Sequence, residues 1–424
     1  MMIWATVLFI LIYAVIVSEK IHRTVITLAG VTVFIAAGFI SQEQALEAVD
    51  FNTIGLLVGM MIIVGVLQHT GLFEYVAIKQ AKAVGGEPWK LLVVFSVITA
   101  FGSAFLDNVT TVLLMIPVTL AITDLLELNA VPFVIAEILM SNVGGTATLI
   151  GDPPNIMIGS ALGLGFMDFI IHLTPIVLIV FFFTLLYVRF VFQKQMYIKP
   201  EMRVKLKDMD EKEVLKDLPL AKKCLCALGV TILGFVLHQI IHIELATVAL
   251  GGAAFLLLIA KVKIDEAFNA VEWPVIFFFI SLFILVSVLK HVGLVDLLAK
   301  EAIALTHGNV FILFLVVMWG AGIGSAFLGN VPFVATAIPL FQTIQAEMGD
   351  VNFMPVWWAL ALGACFGGNG TMLGANANVP AIGIAEDRGV KITYLDYFKV
   401  AFPFTIMTLG IATVYIILRY FLIK

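Results

Sequence analysis

Small polar residues interrupt the apolar sequence at two places in each half of the chain. Residues 102–109 read GSAFLDNV and return almost letter for letter at 324–331 as GSAFLGNV. Residues 141–155 read SNVGGTATLIGDPPN, and their image at 367–378 reads GGNGTMLGANAN. Non-helical backbone persists at membrane depth only when it is buried in protein or faces a water-filled cavity. Interruptions that match in pairs therefore indicate a functional site.

The chemistry of broken helices suits ion or solute binding. One broken end exposes N–H groups and the other exposes carbonyl oxygens, so an ion can be held without large side chains. The alternative is that glycine and small hydroxyl residues only let helices approach closely. We expect substrate or ion binding by the following amide, hydroxyl, carboxylate and glycine residues: Ser103, Asp107, Asn108, Thr110, Asn142, Gly144, Gly145, Thr146, Thr148, Asp152, Asn155, Ser325, Asn330, Gly368, Asn369, Thr371, Asn376 and Asn378.

Three carboxylates, Asp107, Asp152 and Glu137, fall in or beside these interruptions. A carboxylate at membrane depth costs at least ~2.5 kcal/mol and marks a functional residue by default. The second half has Gly329 in place of Asp107 and Ala375 in place of Asp152, so the acidic groups break the symmetry. We expect these carboxylates to couple transport to H⁺ or Na⁺. The alternative is that Asp107 or Asp152 only caps a half-helix.

The composition is that of an integral membrane protein. Of the 424 residues, 62% are hydrophobic and 12% charged, whereas a soluble domain has about 25% charged residues. A net charge of −5 indicates no nucleic-acid partner, and three cysteines cannot build a disulfide framework. No nucleotide loop, zinc spacing or serine-hydrolase elbow stands in a suitable context. We therefore expect no enzyme and no cofactor beyond the coupling ion, with the lipid bilayer and a small inorganic solute as partners.

An internal repeat organises the whole chain. An offset of 222 residues aligns roughly the first 117 residues with the stretch from about 226 to 339, and the offset then becomes 223. Because fixed-period self-similarity identifies repeated structural units, we predict a first repeat over 1–192, a linker over 193–223 and a second repeat over 224–424.

Each repeat is predicted to hold five crossings and one re-entrant hairpin. In the first repeat these are 2–18, 24–40, 53–68, an interrupted helix over 131–163, and 169–192, with the hairpin over 91–124. Their images are 224–240, 246–260, 274–289, an interrupted helix over 356–383, and 397–420, with the hairpin over 313–346. The hairpin arms, 91–106 and 110–123, are shorter than the ~20 residues that a full crossing needs. The predicted fold is an all-α polytopic membrane protein with two inverted-topology repeats.

Charge gives the orientation. Five crossings per repeat reverse the second repeat, and most of the 24 lysine and arginine residues then fall on the side of the linker. The positive-inside rule makes the linker cytoplasmic and both termini external in the cell (inner) membrane.

Two stretches carry a family resemblance. Residues 103–111, SAFLDNVTT, followed by Pro117, and residues 141–155 resemble the hairpin and unwound helix of the arsenite permease and melanosomal P protein family. This family lies in the ion transporter superfamily with dicarboxylate/sodium symporters and Na⁺/H⁺ antiporters. The resemblance implies an elevator-type carrier, usually a homodimer.

The resemblance also bears on the substrate. The dicarboxylate branch has Ser-Asn-Thr at each hairpin tip, whereas only Asn108 and Asn330 match that pattern here. No lysine or arginine falls in the interruptions, which disfavours a multivalent anion. We therefore expect efflux of arsenite, or of a similar small oxyacid or anion, coupled to the proton gradient. The alternatives are a Na⁺/H⁺ antiporter, a dicarboxylate carrier and a passive ion channel.

Overall fold

The computed structural model describes residues 1–18, 20–197, 206, 210–349 and 351–422. Across these residues the chain forms helices and no strand, and eight helices are long and apolar enough to cross a membrane. Many large apolar side chains remain exposed on the outside of the bundle, where lipid would cover them. The chain is a multi-pass, all-α membrane protein, as the sequence predicts.

The helices of the two halves match in order. The first half contains Met2–Ser18, Arg23–Ala36, Gln42–Glu47, Phe51–Gln68, Leu72–Ala83, Pro88–Phe105, Asn108–Leu125, Val131–Gly145, Pro153–Leu162 and Phe166–Phe192. The second half contains Leu218–Ile241, Leu245–Ala260, Ile264–Asn269, Trp273–His291, Leu294–Thr306, Val310–Leu328, Asn330–Met348, Met354–Gly367, Asn378–Asp387 and Tyr394–Ile416, the last continued by a π-turn over Ile417–Leu422. Two shorter helices in each half were not predicted, and they too form matched pairs.

Four elements are named by their residues from here on. Hairpin 1 is Pro88–Phe105 with Asn108–Leu125, and hairpin 2 is Val310–Leu328 with Asn330–Met348. Broken helix 1 is Val131–Gly145 with Pro153–Leu162, and broken helix 2 is Met354–Gly367 with Asn378–Asp387. Proline at the start of a helical segment favours these restarts, because its missing N–H needs no partner there; Pro153 begins the second half of broken helix 1 in this way.

The hairpin arms are longer than predicted. Those of hairpin 1 have 18 residues each and those of hairpin 2 have 19, and an 18-residue helix is about 27 Å long. Arm length therefore does not separate a re-entrant hairpin from two crossings. The tip contacts do, because Asn108 Nδ2 donates to Asn142 Oδ1 at 3.1 Å and Asn330 N donates to Gly374 O at 2.9 Å. Each tip ends inside the protein, against its own repeat's broken helix.

Two groups of helices surround the interruptions. The core group is made of the two hairpins and the two broken helices. The frame is made of Arg23–Ala36, Phe51–Gln68, Leu245–Ala260 and Trp273–His291. Within the frame the repeats pair crosswise, since Arg23–Ala36 packs on Trp273–His291 and Phe51–Gln68 packs on Leu245–Ala260. Within the core group, each return arm packs on the second half of the other repeat's broken helix. The two repeats therefore interlock in both groups.

Close backbone contact joins each hairpin to its broken helix. A Cβ atom on Gly144 would lie 2.1 Å from the carbonyl oxygen of Ala100, and one on Gly367 would lie 2.3 Å from that of Gly322. Only glycine permits this approach, and the contact recurs at equivalent positions of the two repeats. The glycines predicted as binding residues thus have a packing role here.

We expect Gly144→Ala to destabilise the protein. Forcing a methyl group into backbone atoms costs about 1–3 kcal/mol or more. The matched control is Gly229→Ala, where a Cβ meets nothing within 4 Å and alanine favours the helix by about 0.5–1 kcal/mol. Thermal unfolding of the purified protein in detergent should show a lowered midpoint for Gly144→Ala and an equal or raised midpoint for Gly229→Ala. Equal midpoints for both variants would contradict the close packing.

Candidate functional site

Four buried asparagines form a hydrogen-bonded network across the two repeats. Asn142 accepts from Asn108 Nδ2 at 3.1 Å, and its own Nδ2 donates to Asn369 Oδ1 at 2.8 Å and to Asn378 Oδ1 at 3.1 Å. Asn108 comes from the tip of hairpin 1, Asn142 from broken helix 1, and the other two from broken helix 2. Because buried amides are costly unless they are paired, this network fixes how the two interruptions face each other.

Two amides close the broken backbone. Asn155 Nδ2 donates to the carbonyl oxygens of Thr146 at 3.2 Å and Thr148 at 2.8 Å. At the equivalent position Asn378 Nδ2 donates to the carbonyl oxygens of Gly368 at 2.8 Å and Thr371 at 2.9 Å. A helix that stops inside the membrane leaves its last carbonyls without partners. Asn155 and Asn378 satisfy these carbonyls, so both residues hold the interruptions in shape.

The small hydroxyl groups tie each hairpin to its broken helix. Ser103 Oγ donates to the carbonyl of Ser141 at 2.6 Å, and the equivalent Ser325 Oγ donates to that of Ala364 at 2.7 Å. The remaining hydroxyl bonds, all to backbone carbonyls, are Thr148 to Ala104, Thr371 to Ala326 and Thr146 to Asn142. These predicted ligands are therefore occupied in holding the core group together.

Asp107 caps the return arm of hairpin 1. Its Oδ1 accepts from Thr110 N at 2.8 Å and its Oδ2 accepts from Thr110 Oγ1 at 2.6 Å. A carboxylate at this position satisfies an unpaired N–H at the helix start. The sequence left it open whether Asp107 caps a helix. These hydrogen bonds show that it does, with Thr110 as its partner in the cap.

Asp152 is held by the opposite repeat. Asn330 Nδ2, at the tip of hairpin 2, lies 3.0 Å from Asp152 Oδ1 and 3.3 Å from Oδ2. Both residues are buried, and the position equivalent to Asp152 is Ala375. A carboxylate of the first repeat thus contacts the hairpin tip of the second, where any movement of that tip would change its surroundings.

A small cavity of about 40 Å³ lies between the hairpin tips and the frame. Its wall on Phe51–Gln68 is apolar, with Leu56, Leu57, Met60 and Met61. Its polar lining contains three carboxylates and three amides: Asp107, Asp152, Glu272, Asn108, Asn330 and Asn376. One water needs at least about 10–15 Å³, so the cavity has room for about three waters or a small cation. Acidic groups dominate its charge.

Two larger vestibules flank the bundle. The first, about 320 Å³, is lined by His22, Arg23, Gly329 and Asn376, and it shares Asn376 with the cavity. The second, about 310 Å³, is lined by Lys290 among others. Glu272, which lines the cavity, and Lys290 lie at opposite ends of Trp273–His291. The vestibules therefore open toward opposite ends of the frame, and the cavity is next to the first.

Arg23 brings a basic side chain to the site, which corrects the expectation drawn from the interruptions alone. Its Nη1 donates to Asn376 Oδ1, and its guanidinium carbon lies 5.1 Å from the centre of the Phe278 ring. Arg23 begins a frame helix that packs crosswise on Trp273–His291. Only this packing between repeats places it beside broken helix 2. An arginine at the start of an apolar helix is visible in the sequence, but its neighbours are not.

The predicted residues divide into three sets, apart from Thr110, which pairs with Asp107 in the helix cap. The cavity brings together Asp107, Asn108, Asp152, Asn330 and Asn376. The interlocking contacts behind it contain Ser103, Asn142, Gly144, Gly145, Thr146, Thr148, Asn155, Ser325, Gly368, Asn369, Thr371 and Asn378. Glu137 lies apart from the cavity and bonds to Thr119. Sequence reasoning missed Arg23, Glu272 and the apolar wall of Phe51–Gln68.

Comparison with known proteins identifies the family. The family model described as a citrate transporter matches residues 13–363. The chain is 38% identical to the 46 kDa membrane protein of Mycobacterium leprae (strain TN) over 99% of both chains. It is also 38% identical to an uncharacterized transporter of Mycobacterium tuberculosis (strain ATCC 25618 / H37Rv) over 100% of both chains. It is 31% identical to the human P protein over 98% of this chain, which corresponds to 60% of the P protein.

A solved structure supports the fold. The crystal structure of the Alcanivorax borkumensis YdaH transporter, which has an unusual topology, matches 86% of this chain and 85% of that chain with a TM-score of 0.58. Sequence identity is 16%, so the likeness concerns the fold alone. Similarity to the P protein agrees with one part of the family resemblance, whereas membership among arsenite permeases is not shown.

The two cavity aspartates should differ in their effect on stability. We expect Asp107→Asn to leave the unfolding midpoint nearly unchanged, because asparagine is as good an N-cap as aspartate. We expect Asp152→Asn to lower stability by about 1–3 kcal/mol, because an amide donor would replace one acceptor of Asn330 in a buried site. Thermal unfolding in detergent checks both variants. A larger loss for Asp107→Asn than for Asp152→Asn would contradict these assignments.

Proposed function

Because the chain belongs to the citrate transporter family, we propose that it is a secondary active transporter that moves a small organic anion coupled to H⁺ or Na⁺. The observation that carries this proposal is an acidic cavity joined through Asn376 to a vestibule that contains Arg23. One position attracts cations and the adjoining one attracts anions. A coupled carrier requires two such neighbouring sites.

The cavity is suited to the coupling cation. Asp107, Asp152 and Glu272 line a space of about 40 Å³, and like charges repel strongly where water is excluded. A proton or Na⁺ would relieve that repulsion, with the amide oxygens of Asn108 and Asn330 available nearby. Asp152 is our choice for the coupling residue, because its carboxylate contacts the hairpin tip of the other repeat. Asp107 has both oxygens engaged in its cap.

The vestibule is suited to a carboxylate. Guanidinium groups bind carboxylates through paired, charge-assisted hydrogen bonds, and Arg23 borders a space of about 320 Å³. The family description, citrate transporter, supports the same substrate class. A neutral oxyacid such as As(OH)₃ would accept hydrogen bonds from Arg23 but would gain no ion pairing. The arginine therefore favours an anion over a neutral oxyacid, and the family description favours an organic one.

We further propose an elevator movement of the core group against the frame. Two features support it: the core group is interlocked by buried hydrogen bonds, whereas Phe51–Gln68 of the frame presents Leu56, Leu57, Met60 and Met61 to the cavity. Apolar contacts are non-directional and can slide, whereas hydrogen bonds between the two groups, such as Arg23 to Asn376 and Asn52 to Ser160, would break and re-form during the movement. Opposite orientation of the repeats, a cytoplasmic linker, external termini and a homodimer in the cell membrane belong to the same proposal.

A second function, Na⁺/H⁺ antiport, is favoured by one observation. Three carboxylates and three amides surround the small cavity, and such a set can exchange a proton for Na⁺ without an organic solute. In that case Arg23 would have a structural role, as the donor to Asn376.

Flux measurements in liposomes test these proposals. Purified protein is given an imposed pH or Na⁺ gradient and, separately, radiolabelled citrate, radiolabelled arsenite or radioactive sodium. We expect gradient-driven citrate accumulation that Asp152→Asn abolishes. Arg23→Gln should raise KM about ten- to a hundredfold, because a charge-assisted hydrogen bond contributes about 1.5–3 kcal/mol. The matched controls, Asp387→Asn and Arg388→Gln, alter exposed charges and should behave as the parent protein.

Other outcomes favour the alternatives. Sodium movement driven by a pH gradient without any carboxylate indicates the antiporter. Arsenite accumulation without citrate transport would favour the inorganic solute that the sequence predicts. Citrate equilibration that ignores every gradient indicates a passive channel and overturns the proposed coupling.

A further inference from the structure

Glu137 is a buried carboxyl group that the cavity does not use. Its side chain is 1% exposed, and Oε1 accepts a hydrogen bond from Thr119 Oγ1 at 2.5 Å. Oε2 has no hydrogen-bond partner among the described residues. An ionised carboxylate with an unpaired oxygen is very costly in such surroundings. The closed core therefore holds Glu137 as the neutral acid.

Two more buried polar atoms without partners lie on the facing arm of hairpin 1. They are the hydroxyl oxygens of Ser96 and Thr99, both completely buried. The packing register of this arm on broken helix 1 is set by Phe95, whose ring lies 6.5 Å from that of Phe133, and by Ser103, which donates to the Ser141 carbonyl.

The two helices pack on each other, and Ser96 and Thr99 lie between Phe95 and Ser103 on one of them, as Glu137 lies between Phe133 and Ser141 on the other. The unpaired atoms of Ser96, Thr99 and Glu137 therefore belong to the same helix pair. In native proteins nearly all buried polar groups have a hydrogen-bond partner, so several unpaired polar atoms in one place need a functional explanation or a bound water.

The equivalent place in the second repeat is apolar. With the offsets of the repeat, Ser96, Thr99 and Glu137 correspond to three buried apolar residues: Met318, Ala321 and Leu360. The packing of an arm against a broken helix therefore does not require polarity at these positions. The first repeat carries a buried acid and two hydroxyl groups where the same architecture is stable with hydrocarbon, which indicates a function that only this repeat performs.

The hydroxyl groups form a row that leads toward the cavity. Ser96, Thr99 and Ser103 are three and four positions apart, so they lie on one face of the same helix. Ser103 Oγ contacts Asn108 Oδ1 at 2.5 Å, and Asn108 lines the cavity. The row thus extends from the middle of the arm to the hairpin tip.

We propose that Glu137 is a proton-binding site of the transport cycle, separate from the cavity and served by the hydroxyl row of Ser96, Thr99 and Ser103. This proposal rests on the proposed cation coupling. When the core group moves, a proton leaves the Glu137 carboxyl group as its O–H bond breaks, and another later binds the carboxylate to restore the acid. No other bond changes: water that enters beside the unpaired Ser96 and Thr99 hydroxyl groups accepts the proton as hydronium, and hydronium later returns a proton to the carboxylate.

Other titratable groups do not surround Glu137. The helices that pack against Val131–Gly145 carry charged or titratable side chains that are exposed, lie near the ends of their helices or have partners elsewhere: Lys90, Asp124, Asp168, His172, Tyr187, Arg189, Cys365, Glu386 and Asp387. Desolvation and the bond from Thr119 therefore control the protonation of Glu137.

Proton uptake measured without any substrate tests this site. Protein adsorbed on a solid-supported membrane receives a rapid pH step, and the charge displaced is recorded for the parent protein and for Glu137→Gln, Glu137→Leu and Thr99→Ala. We expect both Glu137 variants to lose the slow component of the displaced charge and to unfold at the same temperature or higher, since Leu360 occupies the equivalent position. Thr99→Ala should slow that component without removing it. The matched control, Glu386→Gln, removes an exposed carboxyl group and should leave it unchanged.

The outcomes separate this proposal from the proposed function. Unchanged displacement in both Glu137 variants overturns the proton site, and so does failure of both variants to fold, which would make the residue structural. The readout contains no organic anion, so a wrong substrate class would leave it intact. Loss of citrate transport in Asp152→Asn with normal displaced charge would show that cavity and proton site act separately.

Discussion

The structure depends on one amide, Asn142, which faces both repeats at once. It accepts from Asn108 of hairpin 1 and donates to Asn369 and Asn378 of broken helix 2. In a membrane the alternative to these bonds is an unsatisfied polar group in an apolar medium, so the network strongly restricts how the interruptions can pack. Its equivalent in the second repeat is Cys365, which cannot make the same bonds. The centre of a duplicated fold is therefore asymmetric.

Around that centre the symmetric residues have structural roles. Ser103 with Ser325, Thr148 with Thr371, and Asn155 with Asn378 each make equivalent bonds in the two halves. The asymmetric positions carry the charge, since Asp107, Asp152 and Glu137 have Gly329, Ala375 and Leu360 as images. Apart from Asn142, the residues that hold the interruptions together are thus symmetric, and the asymmetric carboxylates are the candidates for binding a proton or ion.

Much of the fold could be predicted from the sequence for a physical reason. A bilayer requires long apolar helices whose backbone groups are all hydrogen-bonded, so crossings and interruptions can be recognised from local composition. The internal repeat then gives a second check on each assigned helix. Most predicted boundaries lie within a few residues of the observed ones. The short helices Gln42–Glu47 and Ile264–Asn269 were not predicted, because six residues are too few to show a helical pattern of apolar positions. Arm lengths were underestimated because hydropathy falls before the helix ends.

The site was predicted less completely, because the spacing of residues along the sequence does not show which residues of the two repeats lie close together. Arg23 and Glu272 come from frame helices whose crosswise packing alone brings them to Asn376 and Asp107. Conversely, Ser103 and Thr148 have hydroxyl groups that could bind a ligand, yet these groups already donate hydrogen bonds to backbone carbonyls. The consequence for mechanism is specific. With Arg23 on the frame and Asp152 on the core group, any sliding between the two groups changes the distance between the anion-attracting and cation-attracting side chains. The two ligands would therefore be coupled by geometry, without direct contact between them.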